Sequence, residues 1–203
     1  LKLFDTNRKK MLSLEESLKI LKETDALLEG HFILSSGLRS SKYVQCAQLM
    51  SKPDKAIKIC SSLCEKIKNK LLDFDLILSP AMGGIIVGYE IGKLMNKKAI
   101  FCERVNGEFN LRRGFEIKKN QKILIIEDVI TTGKSSLECT KLVKKKGGIV
   151  VGYACIIDRS NTEVNFDKKI ISQVKLKIPT YTEKNLPKEL STIKAIKPGS
   201  RNL

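Results

Sequence analysis

The chain has 203 residues, of which 42% are hydrophobic and 30% charged, and this balance predicts one soluble domain with a buried core. No apolar run approaches the roughly 20 residues of a membrane-spanning helix, and residues 1–17 lack the apolar stretch of a signal peptide, so we expect a cytoplasmic protein. The net charge of +16 comes from lysines spread along the chain with few aromatic residues between them, which favours a lysine-rich surface of compositional origin. A site for anionic substrates is the second interpretation, and a nucleic-acid partner is the least favoured.

The N-terminal part of the chain predicts one helix and two short strands. Residues 13–29, SLEESLKILKETDALLE, have leucines at helical spacing and a capping-box pattern at their start, and Gly30 is expected to end the helix. Residues 31–34 and 42–46 are extended runs on either side of a turn rich in serine and glycine. This part could cover a site or pack as an ordinary N-terminal element.

Alternating strand and helix patterns follow and predict a parallel α/β sheet. The apolar runs are continuous, as in strands that are buried on both faces. The predicted strands are residues 75–79, 98–104, 123–126 and 149–157, and the predicted helices are residues 53–72, 85–94 and 136–146. From residue 170 onward, the tail predicts one more strand and a short helix near residues 187–190.

The run from Lys122 to Ser136, KILIIEDVITTGKSS, carries the clearest chemical signal. An apolar strand is followed by two acids, Glu127 and Asp128, and then by a turn rich in hydroxyl groups. Backbone N–H groups at a helix N-terminus suit a phosphate, and carboxylates accept hydrogen bonds from sugar hydroxyls or lie near Mg²⁺. Asp128 stands where a Walker A loop needs a glycine, and Gly133 alone cannot make a Rossmann turn. The stretch therefore predicts a ribose 5-phosphate site.

This stretch resembles the phosphoribosyl-pyrophosphate (PRPP) motif of type I phosphoribosyltransferases, in which an apolar strand, two acids and two apolar residues precede Thr-x-Gly. The resemblance implies an α/β fold with a central, mostly parallel sheet flanked by helices and a small N-terminal hood. It also implies a single domain over residues 1–203, with hood elements within about residues 1–50 and the C-terminal tail. Glu127 stands where many relatives have aspartate, and glutamate there also occurs in orotate phosphoribosyltransferases.

Three more segments resemble parts of that family. The turn at residues 80–84, Pro-Ala-Met-Gly-Gly, resembles its pyrophosphate-binding loop, in which a non-proline cis peptide bond is common. Residues 105–117, with a turn at Asn106 and Gly107, resemble the mobile basic loop that closes over the site in orotate phosphoribosyltransferases. Arg159, at the end of a predicted strand, corresponds to the arginine that meets the orotate carboxylate in those enzymes.

Residues 30–46 resemble the segment that covers the base in orotate phosphoribosyltransferases. A basic residue often precedes the Ser-Gly turn of that segment, and Ser35 stands at this place here. Arg39 and Lys42 are the nearby cations that could make the phosphate contact instead. His31, the single histidine, is expected to be a partly buried structural residue.

The resemblance implies a role for each residue of the site. PRPP would be bound by Met82, Gly83, Gly84, Glu127, Asp128, Val129, Ile130, Thr131, Thr132, Gly133, Lys134 and Ser135. Orotate would be bound by Thr131 and Arg159. Asp128, Arg104, Arg112 and Arg113 would act in catalysis, the arginines by stabilising charge on the departing pyrophosphate. Mg²⁺ would be held mainly by PRPP, with no direct ligand from a protein side chain.

The implied function is the transfer of ribose 5-phosphate from PRPP to orotate, giving orotidine 5′-monophosphate and pyrophosphate in pyrimidine biosynthesis. Dimers of the family share the catalytic loop across their interface, so a homodimer is expected. A membrane partner is not expected. Two other functions stay open from the residues: a PRPP-binding regulator without catalysis, and a purine phosphoribosyltransferase.

Overall fold

A computed structural model describes residues 11–34, 36–70, 73–160 and 166–198. Ser35, the last two residues of the helix predicted over 53–72, and both ends of the predicted 1–203 domain lie outside the described residues. The helices are α1 (Leu14–Glu23), α2 (Cys46–Met50), α3 (Pro53–Lys70), α4 (Gly83–Met95), α5 (Lys134–Lys145) and α6 (Lys188–Ser191), with a 3-10 turn at Glu183–Asn185. The strands are β1 (Leu27–Ile33), β2 (Arg39–Val44), β3 (Leu76–Pro80), β4 (Lys98–Val105), β5 (Glu108–Asn110), β6 (Lys122–Ile130), β7 (Ile149–Asp158), β8 (Ile170–Lys175) and β9 (Thr180–Tyr181).

The larger sheet has six strands in the order β5-β4-β3-β6-β7-β8. All neighbouring pairs are parallel except β4 and β5, which form an antiparallel hairpin at one edge. Successive side chains of β6 point to opposite faces, so Leu124 packs into the core with α3 and α4, while Ile125 packs into the core with α5. The predicted central, mostly parallel sheet flanked by helices is confirmed.

A second, three-stranded sheet with the order β1-β2-β9 forms the hood. β2 pairs antiparallel with both of its neighbours, and Ile196 adds a bridge to Phe32 on β1. The hood is therefore built from both ends of the chain, because strands from the N-terminal part pair with residues of the tail.

The prediction that the first helix extends to residue 29 is wrong, because α1 ends at Glu23. The Thr24 hydroxyl donates a 2.8 Å hydrogen bond to the Ile20 carbonyl, and Asp25 adopts a left-handed φ of 59° that turns the chain. Leu27 then pairs with Val44 in the hood sheet. The leucine spacing continued past the turn, so it could not reveal where the helix stops.

The other elements agree with the prediction apart from their bounds. β6 extends to Ile130, so both acids of the central motif lie within the strand, and α5 begins at Lys134 rather than at Ser136. Cys46 was predicted as the last residue of a strand, but it begins the short helix α2. None of the described helices is long and apolar enough to cross a membrane.

Candidate active site

A cleft of about 720 Å³ lies between the hood and the carboxyl ends of β6 and β7. Parallel strands end at the same edge of a sheet, so residues that follow neighbouring strands meet there. Asp128, Thr131 and Thr132 line the cleft from the central motif, and Arg159 lines it from the residue after β7. Tyr43 lines it from the hood. The structure thus brings together the predicted ribose-phosphate and orotate-binding segments.

The turn between β6 and α5 has the backbone of an anion site. Gly133 adopts a left-handed φ of 69°, which lets the chain reverse directly into α5. The Leu137 N–H donates to the Gly133 carbonyl at 2.9 Å, so the helix begins at the turn itself. First-turn N–H groups have no acceptor within the helix, and together with the helix dipole they favour a bound phosphate.

The two acids of the motif point to opposite faces of β6, as neighbouring residues of a strand do. Asp128 lies in the cleft, and burial raises the pKa of its carboxyl group. Glu127 is buried on the α5 face, where it accepts a hydrogen bond from the Ser136 hydroxyl. Burial, with a smaller effect from the charge of Asp128, raises the pKa of Glu127 to about 7. The two carboxylates are therefore not equivalent in this structure.

The glycine turn before α4 lies directly beside Asp128. The peptide bond between Ala81 and Met82 is cis, as the family resemblance suggested. A β-carbon on Gly83 would lie 2.6 Å from Asp128 Oδ2, closer than two such atoms can approach. Glycine at this position therefore lets the turn and the carboxylate of β6 stand against each other.

Arg159 is positioned for an anion in the cleft. Its backbone N–H donates to the Ile130 carbonyl at 2.8 Å, which ties it to the end of β6. Its Nε is buried and has no hydrogen-bond partner among the described residues. The neighbouring Asp158 is engaged elsewhere, because its carboxylate accepts from the Ser160 N–H at 2.8 Å and lies 3.7 Å from Lys175 Nζ. The Arg159 side chain is thus left to face the cleft.

The comparisons with known proteins agree with this site. The family described as phosphoribosyl transferase domain matches residues 47–184. The orotate phosphoribosyltransferase of Maricaulis maris is 46% identical over 190 residues, which cover 93% of this chain and 98% of that protein. The protein of the same name from Rhizorhabdus wittichii is 46% identical over 188 residues, or 92% and 96% of the two chains. The chain belongs to the orotate phosphoribosyltransferase family.

The fold agrees with that of a solved structure bearing the same name. The crystal structure of orotate phosphoribosyltransferase from Aeropyrum pernix matches with a TM-score of 0.67 at 22% identity. The match covers 78% of this chain and 93% of that chain. At this identity the likeness shows the type I phosphoribosyltransferase fold, and the sequence relatives show the orotate phosphoribosyltransferase family within it.

The three arginines predicted for catalysis do not line the cleft. Arg104 Nη2 donates to Glu138 on α5, and the Arg104 guanidinium lies 4.2 Å from the centre of the Phe109 ring. Arg112 and Arg113 lie on the basic loop and both contact Glu103, at 3.7 Å and 3.1 Å. The structure holds each of these cations outside the cleft lining and in contact with a carboxylate.

The hood cations considered for the phosphate contact are also engaged elsewhere. Arg39 Nη2 donates to Glu183 Oε1 at 2.6 Å, and Lys42 Nζ lies 3.4 Å from Glu29 Oε1. Neither Arg39 nor Lys42 lines the cleft.

Sequence reasoning missed several cleft residues, among them Cys46 and Lys197. Cys46 was predicted only as the end of a strand, but it begins α2 in the cleft lining, and its Sγ lies 3.8 Å from the Asp128 carbonyl. Lys197 follows the short helix predicted in the tail, where no site residue was expected, and it lines the hood side of the cleft. No local pattern marks Lys197, because its position depends on pairing between the two ends of the chain.

Proposed function

We propose that the protein transfers the ribose 5-phosphate group of PRPP to orotate, giving orotidine 5′-monophosphate and pyrophosphate in pyrimidine biosynthesis. One observation carries the proposal: a phosphate-type turn, a cleft-facing carboxylate and a buried arginine with an unpaired Nε share one cleft. These groups match the 5-phosphate, the ribose hydroxyls and the carboxylate of the two substrates. The sequence relatives bear the name of the same activity.

The sugar phosphate would lie along the central motif. The turn from Thr131 to Ser135 would bind the 5-phosphate through backbone N–H groups and hydroxyls, with Val129 and Ile130 supporting it from β6. Asp128 would accept a hydrogen bond from a ribose hydroxyl in the cleft. Glu127 lies on the α5 face, so it would reach a second hydroxyl only by giving up the hydrogen bond that it now accepts from Ser136.

The reaction replaces a C1–O bond of PRPP by a bond from C1 to a ring nitrogen of orotate, and the proton of that nitrogen leaves with the departing pyrophosphate. As the C1–O bond breaks, its electron pair leaves with pyrophosphate and positive charge develops on the ribosyl carbon. The carboxylate of Asp128 would stabilise that positive charge, and the turn of Met82, Gly83 and Gly84 would bind the leaving pyrophosphate through its N–H groups. Arg159 and Thr131 would orient orotate, whose carboxylate fits the unpaired Nε of Arg159.

Mg²⁺ would reach the site with PRPP. Among the described residues, no group of three or more His, Cys, Asp or Glu side chains is placed to hold a metal ion. A cation that prefers about six oxygen ligands would therefore take them mainly from PRPP and water. When bound, it would neutralise charge on the pyrophosphate group. The protein residues would position the substrate that carries it.

A homodimer would complete the site. Met82, the residue before α4, forms an apolar stripe with Ile86 and Tyr89 on α4, and the three side chains are 82%, 55% and 66% exposed. Large apolar side chains at helical spacing on a surface indicate a contact with another protein. We propose that a second copy seated on this stripe extends its basic loop, with Arg104, Arg112 and Arg113, over the cleft. Closure of that loop would exclude water from the ribosyl cation.

We also propose that the whole chain works as one domain in the cytoplasm. The hood sheet combines β1 and β2 with residues from the tail, so neither end forms a separate unit in the described structure. The six cysteines are buried and unpaired by disulfides, which suits a reducing compartment.

The direct test is turnover with PRPP, Mg²⁺ and one base at a time. We expect orotidine 5′-monophosphate from orotate and no nucleotide from hypoxanthine or adenine. Arg159→Ala should raise the KM for orotate by about tenfold or more, since a hydrogen bond to a charged group is worth roughly 1.5–3 kcal/mol. Lys177→Ala, which removes an exposed lysine of the tail that does not line the cleft, is the matched control.

Each alternative gives a different result in that assay. Turnover with a purine base and none with orotate would indicate a purine phosphoribosyltransferase. Tight binding of PRPP without turnover of any base would indicate a regulator that does no chemistry.

A further inference from the structure

The last described residues of the chain, 193–198, form part of the hood. The Ile33 N–H donates to the Ile196 carbonyl at 2.8 Å, and the Ile196 N–H donates to the His31 carbonyl at 2.8 Å. The side chain of His31 adds a contact of 3.0 Å from Nδ1 to the Ile193 carbonyl. His31 itself is buried, so this anchor is protected from water. These hydrogen bonds hold the tail against β1 in a defined register.

That register places a cation in the wall of the cleft. Ile196 is 56% exposed, and the two residues that follow it, Lys197 and Pro198, line the cleft. The cationic residues of the cleft lining are Arg159 and Lys197, and they come from opposite walls, one after β7 and one from the hood. Asp128 is the acid in that lining.

The N-terminal strands of the hood do not supply such a charge. They line the cleft with apolar and hydroxyl side chains such as Ile33, Ser36 and Tyr43. Their cations, Arg39 and Lys42, do not line the cleft. The positive charge on the hood side of the cleft therefore comes from the other end of the chain.

We propose that Lys197 binds an anionic group of the substrates from the hood wall, opposite Arg159. The ligand class is a phosphate or carboxylate group, and PRPP and orotate are its two sources in this cleft. A lysine ammonium is a flexible point charge that suits either group. The proposal rests on the proposed function for the identity of these ligands, and it makes the C-terminal segment part of the binding site.

Calorimetric titration of the full chain tests the proposal, with PRPP and MgCl₂ in one experiment and orotate in another. Lys197→Ala should weaken the binding of one of these ligands by about tenfold, the usual effect of losing a hydrogen bond to a charged group. Lys197→Arg should keep most of the affinity because it keeps the charge. Lys194→Ala, which removes an exposed lysine of the same segment, should leave both affinities unchanged.

The pattern of effects identifies the source of the anion. Weaker PRPP binding in Lys197→Ala indicates a phosphate group, and weaker orotate binding indicates the carboxylate. Wild-type affinity for both ligands in Lys197→Ala would overturn the proposal. Equal losses in Lys197→Ala and Lys194→Ala would also overturn it, because they would indicate a general effect of charge.

Failure of the Lys197 proposal can be told apart from failure of the proposed orotate activity. Failure of the wild-type protein to convert orotate would remove the orotate activity but leave the PRPP titration as the test of Lys197. Thermal unfolding of each variant checks that the tail still packs against β1.

Discussion

The α-carbon of Gly83 packs directly against the carboxylate of Asp128. A β-carbon at position 83 would come within 2.6 Å of Asp128 Oδ2 and 2.7 Å of Asp128 Oδ1. The turn proposed to bind pyrophosphate and the strand proposed to bind ribose are therefore fitted to each other through one glycine. Neither segment could keep its position if this residue had a side chain.

Gly83→Ala should destabilise the protein by about 1–3 kcal/mol, the usual cost of inserting a methyl group where no space exists. It should also abolish most activity, because the carboxylate must move. Denaturant unfolding and turnover measure the two effects. Adding Asp128→Ala should recover stability without recovering activity, since it removes the clash together with the carboxylate. If the stability lost in the double variant equals the sum of the losses in the two single variants, the close contact is not the cause of the destabilisation.

Gly133→Ala should weaken PRPP binding by about tenfold, because the turn needs a left-handed residue to aim its N–H groups at the phosphate. Gly147 is the matched control: it has a φ of 79° at the other end of α5, and a β-carbon there would make an ordinary contact of 3.6 Å. Both substitutions should cost about 1–2 kcal/mol of stability through backbone strain. Calorimetry with PRPP should separate them, and equal affinities in the two variants would argue against a phosphate at the turn.

Arg104→Ala should lower kcat by about a hundredfold, the usual effect of removing a group that stabilises developing charge. Its stability should change by less than about 1 kcal/mol, because the ion pair with Glu138 is partly exposed. Glu138→Gln is the matched control, since it removes the partner and keeps the arginine. Steady-state kinetics with orotate decide the matter. An unchanged kcat in Arg104→Ala would take this residue out of the mechanism.

Glu127 should make stability depend on pH. Burial raises its pKa from 4.5 to about 7, so between these values the folded protein holds a proton that the unfolded chain has released. The contribution of this group to the free energy of unfolding is therefore full below pH 4.5 and is lost as the pH rises through about 7.

Glu127→Gln removes this dependence. The stability of the wild type relative to the variant should fall by on the order of 3 kcal/mol across that range, as the shift in pKa implies. Urea unfolding at a series of pH values measures it, with Glu116→Gln, a change of an exposed glutamate, as the control. A constant difference between wild type and Glu127→Gln would show that the carboxyl group of Glu127 keeps the same pKa on folding.

Ile86→Glu should dissociate the proposed dimer, because it places a charge in the centre of the apolar stripe on α4. Ile149→Glu is the control: Ile149 is 47% exposed and lies at the amino end of β7, away from the cleft. Light scattering after size-exclusion chromatography gives the mass of each variant. If the basic loop acts across the interface, the variant whose mass is that of a monomer should also have lower turnover. A wild-type protein that is monomeric at assay concentrations would refute the shared site.

The local pattern of the chain was enough to predict the strand, turn and helix of the central motif. Apolar runs with period and length typical of buried strands located the parallel sheet, and the glycine turn before α4 was recognisable from its composition. These features depend on neighbours in sequence. For the same reason, the end of α1 was misplaced: the leucines continue in helical spacing, but the pairing of Leu27 with Val44 makes them a strand.

The sequence by itself determined the fold class and the strand, turn and helix of the central motif. Only the tertiary structure decided how they face one another, because strand pairing and packing join residues far apart in the chain. Asp128 was placed in the cleft and Glu127 on the opposite face by the alternation of β6 within a sheet covered on both sides. Lys197 reached the cleft because the tail pairs with β1, a contact that no local spacing can predict.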